Sequence, residues 1–296
     1  MKYLSVAEIA KKWDLSERSV RNYCAMGKID GAFLTGKTWN IPEDARKPDR
    51  VNKKRELPTT LLEVLIAEKK AKLSGGIYHK IQIDLTYNSN HIEGSRLTHD
   101  QTRYIFETNT IGIESGSVKV DDIVETANHF KCIDLIIDNA KKPITETFIK
   151  ELHRTLKSGT TDARQDWFAV GDYKKLPNTV GDMYTAQPEE VAEKMKTLLH
   201  KYNDNKEKTF DDLLDFHYKF ESIHPFQDGN GRIGRLLLFK DCLKYNITPF
   251  IIDEELKLFY YRGLKEWENE RGYLRDTCRM AQDKFKILLQ YFRIKY

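Results

Sequence analysis

His224-Pro225-Phe226-Gln227-Asp228-Gly229-Asn230-Gly231-Arg232-Ile233-Gly234-Arg235 is the densest signal in the chain. Leu213, Phe216, Phe220 and Ile223 lead into it at helical spacing, and Leu236, Leu237 and Leu238 lead out of it into a second apolar helix. Between them stand two glycines around an asparagine, which lets successive backbone N–H groups converge with no Cβ in the way. The loop then opens onto a helix N-terminus, where free donors and partial positive charge favour an anion. Arg232 and Arg235 are three residues apart and both reach over that first turn, an arrangement that suits a polyphosphate. Asp228 stands at the mouth of the loop, where a carboxylate beside phosphate oxygens suits Mg²⁺. His224 is the nearby side chain whose ordinary pKa fits general-base work near neutral pH. Taken singly, each of these residues also fits a tight interhelical turn with an Asp cap and two exposed arginines.

Together they match the Fic motif HxFx(D/E)GNGRxxR at every specified position, and on that ground the chain resembles a Fic-domain protein. The resemblance implies a mainly α fold, a helical bundle with a β-hairpin flap. It implies transfer of AMP from ATP, with Mg²⁺, onto a Ser, Thr or Tyr hydroxyl of a target protein. His224 would deprotonate that hydroxyl, Phe226 would anchor the loop, and Asp228 would bind the metal. Gly229, Asn230 and Gly231 would form the anion hole for the α- and β-phosphates, with Arg232 and Arg235 on the β- and γ-phosphates. Phosphate-transferring relatives carry a larger residue at the second glycine; Gly231 is intact here, which favours AMP transfer. Phe239 stands where many relatives have Asn.

Upstream, Ser89-Asn90-His91-Ile92-Glu93-Gly94 matches the family's inhibitory pattern (S/T)xxxE(G/N). Its position ahead of the loop resembles the class with an N-terminal inhibitory helix, expected near residues 85–94. A Glu93 carboxylate in the phosphate site would pair with Arg235 and exclude the γ-phosphate. Ser89 and Glu93 also fit an ordinary surface pair near a helix end. Gly171 to Ala186 holds Gly171, Pro177, Asn178 and Gly181 and reads as a hairpin or loop, since Gly and Pro weaken a helix. Lys174, Val180 and Gly181 resemble the family's target-docking flap, with Lys174 where relatives often have Arg. Tyr261, within Tyr260-Tyr261-Arg262-Gly263-Leu264, resembles a wall of the adenine pocket, and core packing accounts for it equally well. His217 reads as packing or support, because no third metal ligand stands at a suitable spacing.

Farther out, residues 1–58 hold 13 Lys/Arg against 8 Asp/Glu, a net of +5, whereas the other 238 residues hold 36 against 37. The basic excess marks a separate module. Ser5-Val6-Ala7-Glu8 is a capping box, and Ser16 caps a second short helix after a turn at Asp14-Leu15. Ala32–Leu34 and Thr38–Ile41 could pair as a β wing. Residues 1–45 resemble MerR- and excisionase-like winged helix-turn-helix domains, with Lys11, Lys12, Arg18, Arg21 and Lys37 as phosphate contacts to duplex DNA. A protein-binding or dimerising wing is the alternative, and a homo-oligomer stays open. Residues 46–58 read as a linker and 59–296 as the Fic domain, with apolar stripes across 61–66, 123–137, 148–156, 191–199, 213–223, 233–243 and 285–292.

The four cysteines form no CxxC pair and read as reduced, buried thiols. No run of apolar residues approaches a membrane span, and the charged start lacks a signal-peptide core, so a cytoplasmic protein is expected. Two further functions compete with AMP addition. One is AMP removal by the same fold, with Glu93 positioning water. The other is a non-enzymatic DNA-binding regulator that senses ATP.

Overall fold

The computed structural model describes residues 2–48, 60–112, 117–181 and 183–295. It divides into two compact units, Met1–Leu57 and Pro58–Tyr296. The expected linker at 46–58 lies, from residue 49 on, outside the described residues.

In the first unit, β1 (Tyr3–Leu4) precedes α1 (Val6–Trp13), α2 (Glu17–Ala25), β2 (Phe33–Thr35) and β3 (Thr38–Pro42). The Ser5–Glu8 capping box starts α1, Asp14 ends it in the left-handed region, and the Ser16 side chain accepts from Ser19 N–H to start α2. The sheet order is β1-β3-β2, all antiparallel. Ile9, Trp13, Val20, Ile29 and Ile41 form its core. Strand β1 was not legible in the sequence; it is two residues long and pairs with β3 rather than with a neighbour in sequence.

The second unit is almost entirely helical: α3 (Leu61–Ala71), α4 (Ile77–Ile92), α5 (His99–Thr108), α6 (Val120–Asp138), α7 (Glu146–Lys157), α8 (Pro188–Asp204), α9 (Phe210–Ile223), α10 (Asn230–Tyr245), α11 (Glu254–Lys265) and α12 (Gly272–Tyr291). A hairpin of β4 (Thr179–Val180) and β5 (Met183–Tyr184) lies between α7 and α8. Every residue from Arg232 to Leu243 is buried, so α10 is the central helix rather than an amphipathic surface one. It packs against α9, α6, α4, α7 and α3. The polar members of that buried run are partnered: Lys240 donates to the carbonyls of Ala140 (3.2 Å) and Lys142 (2.7 Å), and Asp241 accepts from the Tyr202 hydroxyl at 2.6 Å. All four cysteines are buried and no disulfide joins them. No described helix is long and apolar enough to cross a membrane.

Two features aim this bundle at a site. Helix α4 continues through residues 85–92 and ends on Glu93 as C-cap, with Gly94 at φ 93° turning the chain away. Its docking face is polar: Gln82, Thr86, Ser89 and Asn90 are all buried. Thr86 meets His129 at 2.9 Å and Asn90 donates to Thr126 at 3.3 Å, which ties α4 to α6.

Candidate active site

The loop between α9 and α10 is locked by its own residues. His224 is the C-cap of α9, at φ 52°, and its N–H closes on the Phe220 carbonyl at 3.0 Å. Gly229, at φ 83°, is the N-cap of α10, a conformation that glycine adopts without steric penalty. The Asn230 side chain accepts from Phe226 N–H and donates to the Phe226 carbonyl, both at 2.8 Å. Phe226 is fully buried and stacks on His153, with centroids 4.0 Å apart and rings 3° from parallel. His153 Nδ1 accepts from Gly171 N–H at 2.9 Å, so Nε2 carries the proton and donates to the Asp228 carbonyl at 3.2 Å. Burial pushes that histidine down to about 3, which keeps it in this neutral tautomer.

The candidate base is poised in the same way. His224 Nδ1 lies 3.3 Å from the Glu221 carbonyl, which can only accept. Nδ1 therefore holds the proton, and Nε2 keeps a lone pair that can accept one. Burial lowers the His224 pKa to about 4, with the Lys174 ammonium acting in the same direction and the Glu221 carbonyl against it.

Glu93 and Arg235, 142 residues apart in sequence, meet at 2.6 Å. Arg235 also donates from Nε to Ser89 Oγ (3.1 Å) and from Nη2 to the Ser89 carbonyl (3.0 Å). Burial works against its charge, yet the Glu93 carboxylate prevails and raises its pKa. A carboxylate at a helix C-terminus stands at the unfavourable end of the dipole, so Glu93 does little for α4 itself. Its seat is Gly231: a Cβ there would lie 2.3 Å from Glu93 Oε1. Behind Arg235, His217 Nε2 meets the Tyr260 hydroxyl at 2.5 Å, which is the supporting role expected of it.

A second cluster was not anticipated in full. Arg232 is buried and pairs with Glu125 of α6 and with Asp228 Oδ2 at 3.1 Å. Lys157, the last residue of α7, pairs with the same Glu125 and with Asp228 Oδ2 at 2.6 Å. Burial opposes ionisation of Asp228, but Arg232 and Lys157 hold its carboxyl well below the usual range. Glu125 and Lys157 belong to no motif of the loop, and only the packing of α6 and α7 beneath it reveals them. His153, also on α7, was missed for the same reason, and Asn178 was read only as part of the hairpin.

The flap is tied to the loop at its root. Lys174 N–H donates to the Pro225 carbonyl at 2.9 Å, and Asn178 Nδ2 donates to the Phe226 carbonyl at 3.0 Å. The Lys174 ammonium turns inward onto Asn178 Oδ1 (2.6 Å) and Thr185 Oγ1 (2.7 Å) and is buried, so it braces the hairpin from within rather than lying along its outer edge. Burial lowers its pKa to about 8. Val180, Gly181 and Tyr184 of the flap face Glu221 and Tyr261 across a cavity of about 680 Å³. Tyr261 thus lines the cavity, while Tyr260 is wholly buried. Glu221 Oε1 lies against Gly234 and has no hydrogen-bond partner among the described residues; burial raises this carboxyl to about 8.

Among the described residues no group of three or more His, Cys, Asp or Glu side chains could by itself hold a metal. The donor set nevertheless fits Mg²⁺ arriving with a nucleotide. Asp228 is ionised and its side chain is 46% exposed, and Mg²⁺ commonly takes one or two carboxylates and completes its shell with phosphate and water.

Residues 143–240 match the Fic/DOC family model. The chain is 27% identical over 248 residues to protein adenylyltransferase Fic of Drosophila mojavensis, covering 81% of this chain and 46% of that protein. It is 30% identical over 184 residues to protein adenylyltransferase fic-1 of Caenorhabditis elegans, covering 60% of this chain and 35% of that protein. The chain thus spans about half the length, or less, of these curated relatives. Among solved structures, it is similar to a Fic-domain-containing signalling protein from Bacteroides thetaiotaomicron, with a TM-score of 0.58, 29% identity and coverage of 78% of this chain and 90% of that one. A Fic family protein from Desulfovibrio desulfuricans shares the fold at a TM-score of 0.60, with 20% identity and coverage of 79% and 74%. The segment that carries the loop, the flap and both arginines is thus the one that is similar to the Fic/DOC family, and the curated relatives named above are protein adenylyltransferases.

Proposed function

We propose that this protein transfers AMP from ATP to a Ser, Thr or Tyr hydroxyl of a target protein. The reading rests chiefly on one observation: His224 presents an unprotonated Nε2 beside the N-terminus of α10, whose first two turns carry Arg232 and Arg235. The target hydroxyl oxygen attacks the α-phosphorus, the bond to the β-phosphate oxygen breaks, and pyrophosphate leaves. The hydroxyl proton passes to His224 Nε2. Gly229, Asn230 and Gly231 direct backbone N–H groups at the α- and β-phosphates, and Arg232 and Arg235 neutralise the β- and γ-phosphates. Asp228 would hold Mg²⁺ there, where the ion supplies further charge neutralisation. The flap residues Val180 and Gly181 would take a target's extended backbone by strand addition, and Tyr261 would wall the base.

Glu93 restrains this activity in the proposal, because its carboxylate sits on the guanidinium that the γ-phosphate needs. The same placement supports a second reading, AMP removal, in which Glu93 orients water. Product analysis separates the two. Labelled ATP with the Glu93→Gly chain and lysate should leave label on protein; a pre-modified target that releases AMP only when Glu93 is present would favour removal. ATP binding without turnover in that variant would favour a non-enzymatic sensor. His224→Ala should cut transfer by on the order of 10²–10⁴ while the circular dichroism spectrum stays unchanged. Unchanged turnover would remove the mechanism.

Residues 2–48 support an association with duplex DNA. Lys11, Lys12, Arg18, Arg21 and Lys37 are exposed, although Arg21 pairs with Glu17 at 2.7 Å. Binding that weakens steeply with salt is expected of the full chain. A salt-insensitive result with several duplexes would point to a protein partner.

A further inference from the structure

Asp228 already has a cation on it. The Lys157 ammonium lies 2.6 Å from Asp228 Oδ2, and Arg232 Nη2 lies 3.1 Å from the same oxygen. Lys157 is 2% exposed and cannot swing into solvent, whereas the Asp228 side chain is 46% exposed and forms the open end of the cluster. The rest of the ammonium's surroundings are fixed as well: Glu125, Asp162 at 3.6 Å, and the Phe168 ring with its centroid at 5.4 Å. A buried lysine persists only where carboxylates pair it, and Glu125 supplies a pair that does not depend on Asp228. Glu125 also binds Arg232, so it is the hub that divides two cations between itself and Asp228.

We propose that Lys157 is an internal competitor for the divalent cation at Asp228, and that Glu125 sets the strength of this competition by drawing the ammonium away. The proposal rests on the reading of Asp228 as the carboxylate that holds Mg²⁺ beside ATP. Lys157 and Arg232 already place two positive charges on Asp228, and a metal ion adds a third that both repel, so metal entry is easier the more Lys157 leans onto Glu125. Lys157 is thus a positioning residue, which acts through Asp228. While no metal nucleotide is bound, it also keeps the exposed carboxylate ionised and in place.

The test exploits the opposite signs that the two partners carry. Mn²⁺ binding is followed by electron paramagnetic resonance in the full-length Glu93→Gly chain, with α,β-methylene-ATP, whose carbon bridge prevents transfer. Lys157→Met should tighten Mn²⁺ about ten- to a hundredfold, the scale found for groups that touch a metal ligand rather than the metal. Glu125→Gln should weaken it, because Lys157 and Arg232 then turn wholly to Asp228. General damage to the fold would weaken binding in both variants. Weaker or unchanged binding in Lys157→Met overturns the proposal. If that variant lacks a cooperative melt, Glu125→Gln decides, read at a temperature where its melt shows it fully folded: weaker binding by the folded variant supports the proposal, and unchanged or tighter binding overturns it. Asp228→Asn guards the underlying reading, for undiminished Mn²⁺ binding there would show that the metal sits elsewhere, whatever Lys157 does.

Discussion

Replacing Glu93 with glycine should move stability and nucleotide affinity in opposite directions. Glu93 accepts a charge-assisted hydrogen bond of 2.6 Å from Arg235, whose side chain is 7% exposed. Truncating one partner of a fully buried pair costs about 3–5 kcal/mol. Glu93 is 28% exposed and Arg235 keeps two bonds to Ser89, so about 1–3 kcal/mol is the expected loss. The melting temperature should fall accordingly. ATP faces the reverse situation. Under the proposed function its γ-phosphate has to displace that carboxylate in the wild type, and the same 1–3 kcal/mol corresponds to about 5- to 150-fold in Kd. The Ser89 bonds leave Arg235 already aimed, so the variant needs no rearrangement to use it. Calorimetric titration with ATP and Mg²⁺, paired with thermal melts, reads both quantities. A folded variant that binds ATP no better than the wild type would refute the reasoning, and one with an unchanged melting temperature would show that the ion pair contributes nothing.

Gly231→Ala attacks the same contact without deleting a charge, since its Cβ would lie 2.3 Å from Glu93 Oε1 and 3.0 Å from Arg235 Nη1. The melting temperature should drop, yet ATP affinity should stay low because the methyl group remains in the phosphate site; tight binding would contradict this. The acid limb of kcat/KM in the Glu93→Gly chain should fall near pH 4, not near the ordinary 6.5, because His224 must be neutral to act and burial holds its pKa at about 4. A limb at 6.5 would show that the histidine is solvated during turnover. His129, His153 and His217 are buried with pKa values pushed to about 3 from 6.5. The unfolded chain binds more protons than the folded one below 6.5, so stability is full above that pH and is lost as pH falls. Each contributes a slope of up to about 1.4 kcal/mol per pH unit, and urea melts at pH 7 and pH 5 should show the decline.

Most helices with an apolar stripe were legible in the sequence: α3, α6 to α10 and α12 fall where Leu, Ile and Phe recur at helical spacing. Helix α5 was not, because only Thr102 and Ile105 of its residues are buried. The face by which α4 docks is hidden for another reason. Gln82, Thr86, Ser89 and Asn90 follow helical spacing but are polar, and they dock through hydrogen bonds of Gln82 Nε2, Thr86 Oγ1, Ser89 Oγ and Asn90 Nδ2 that no hydrophobic pattern records. At the site, the loop residues were legible because they are contiguous. Their supports were not, since Glu125, Lys157 and His153 come from two helices whose sequences look ordinary and acquire meaning only through packing. The inward turn of Lys174 likewise depends on Asn178 and Thr185 being brought together by the hairpin.

His224 adopts φ 52°, a backbone conformation that costs an L-residue about 1–2 kcal/mol and glycine almost nothing. Alanine at this position inherits the cost; glycine escapes it. Among chains that have lost the imidazole, the one carrying glycine should therefore outlast the one carrying alanine by roughly 1 kcal/mol. Any selection that rewards thermal endurance alone pulls this position toward glycine, and so away from the imidazole that the proposed function needs. A library sorted by melting temperature would need a separate sieve for activity to keep its histidine.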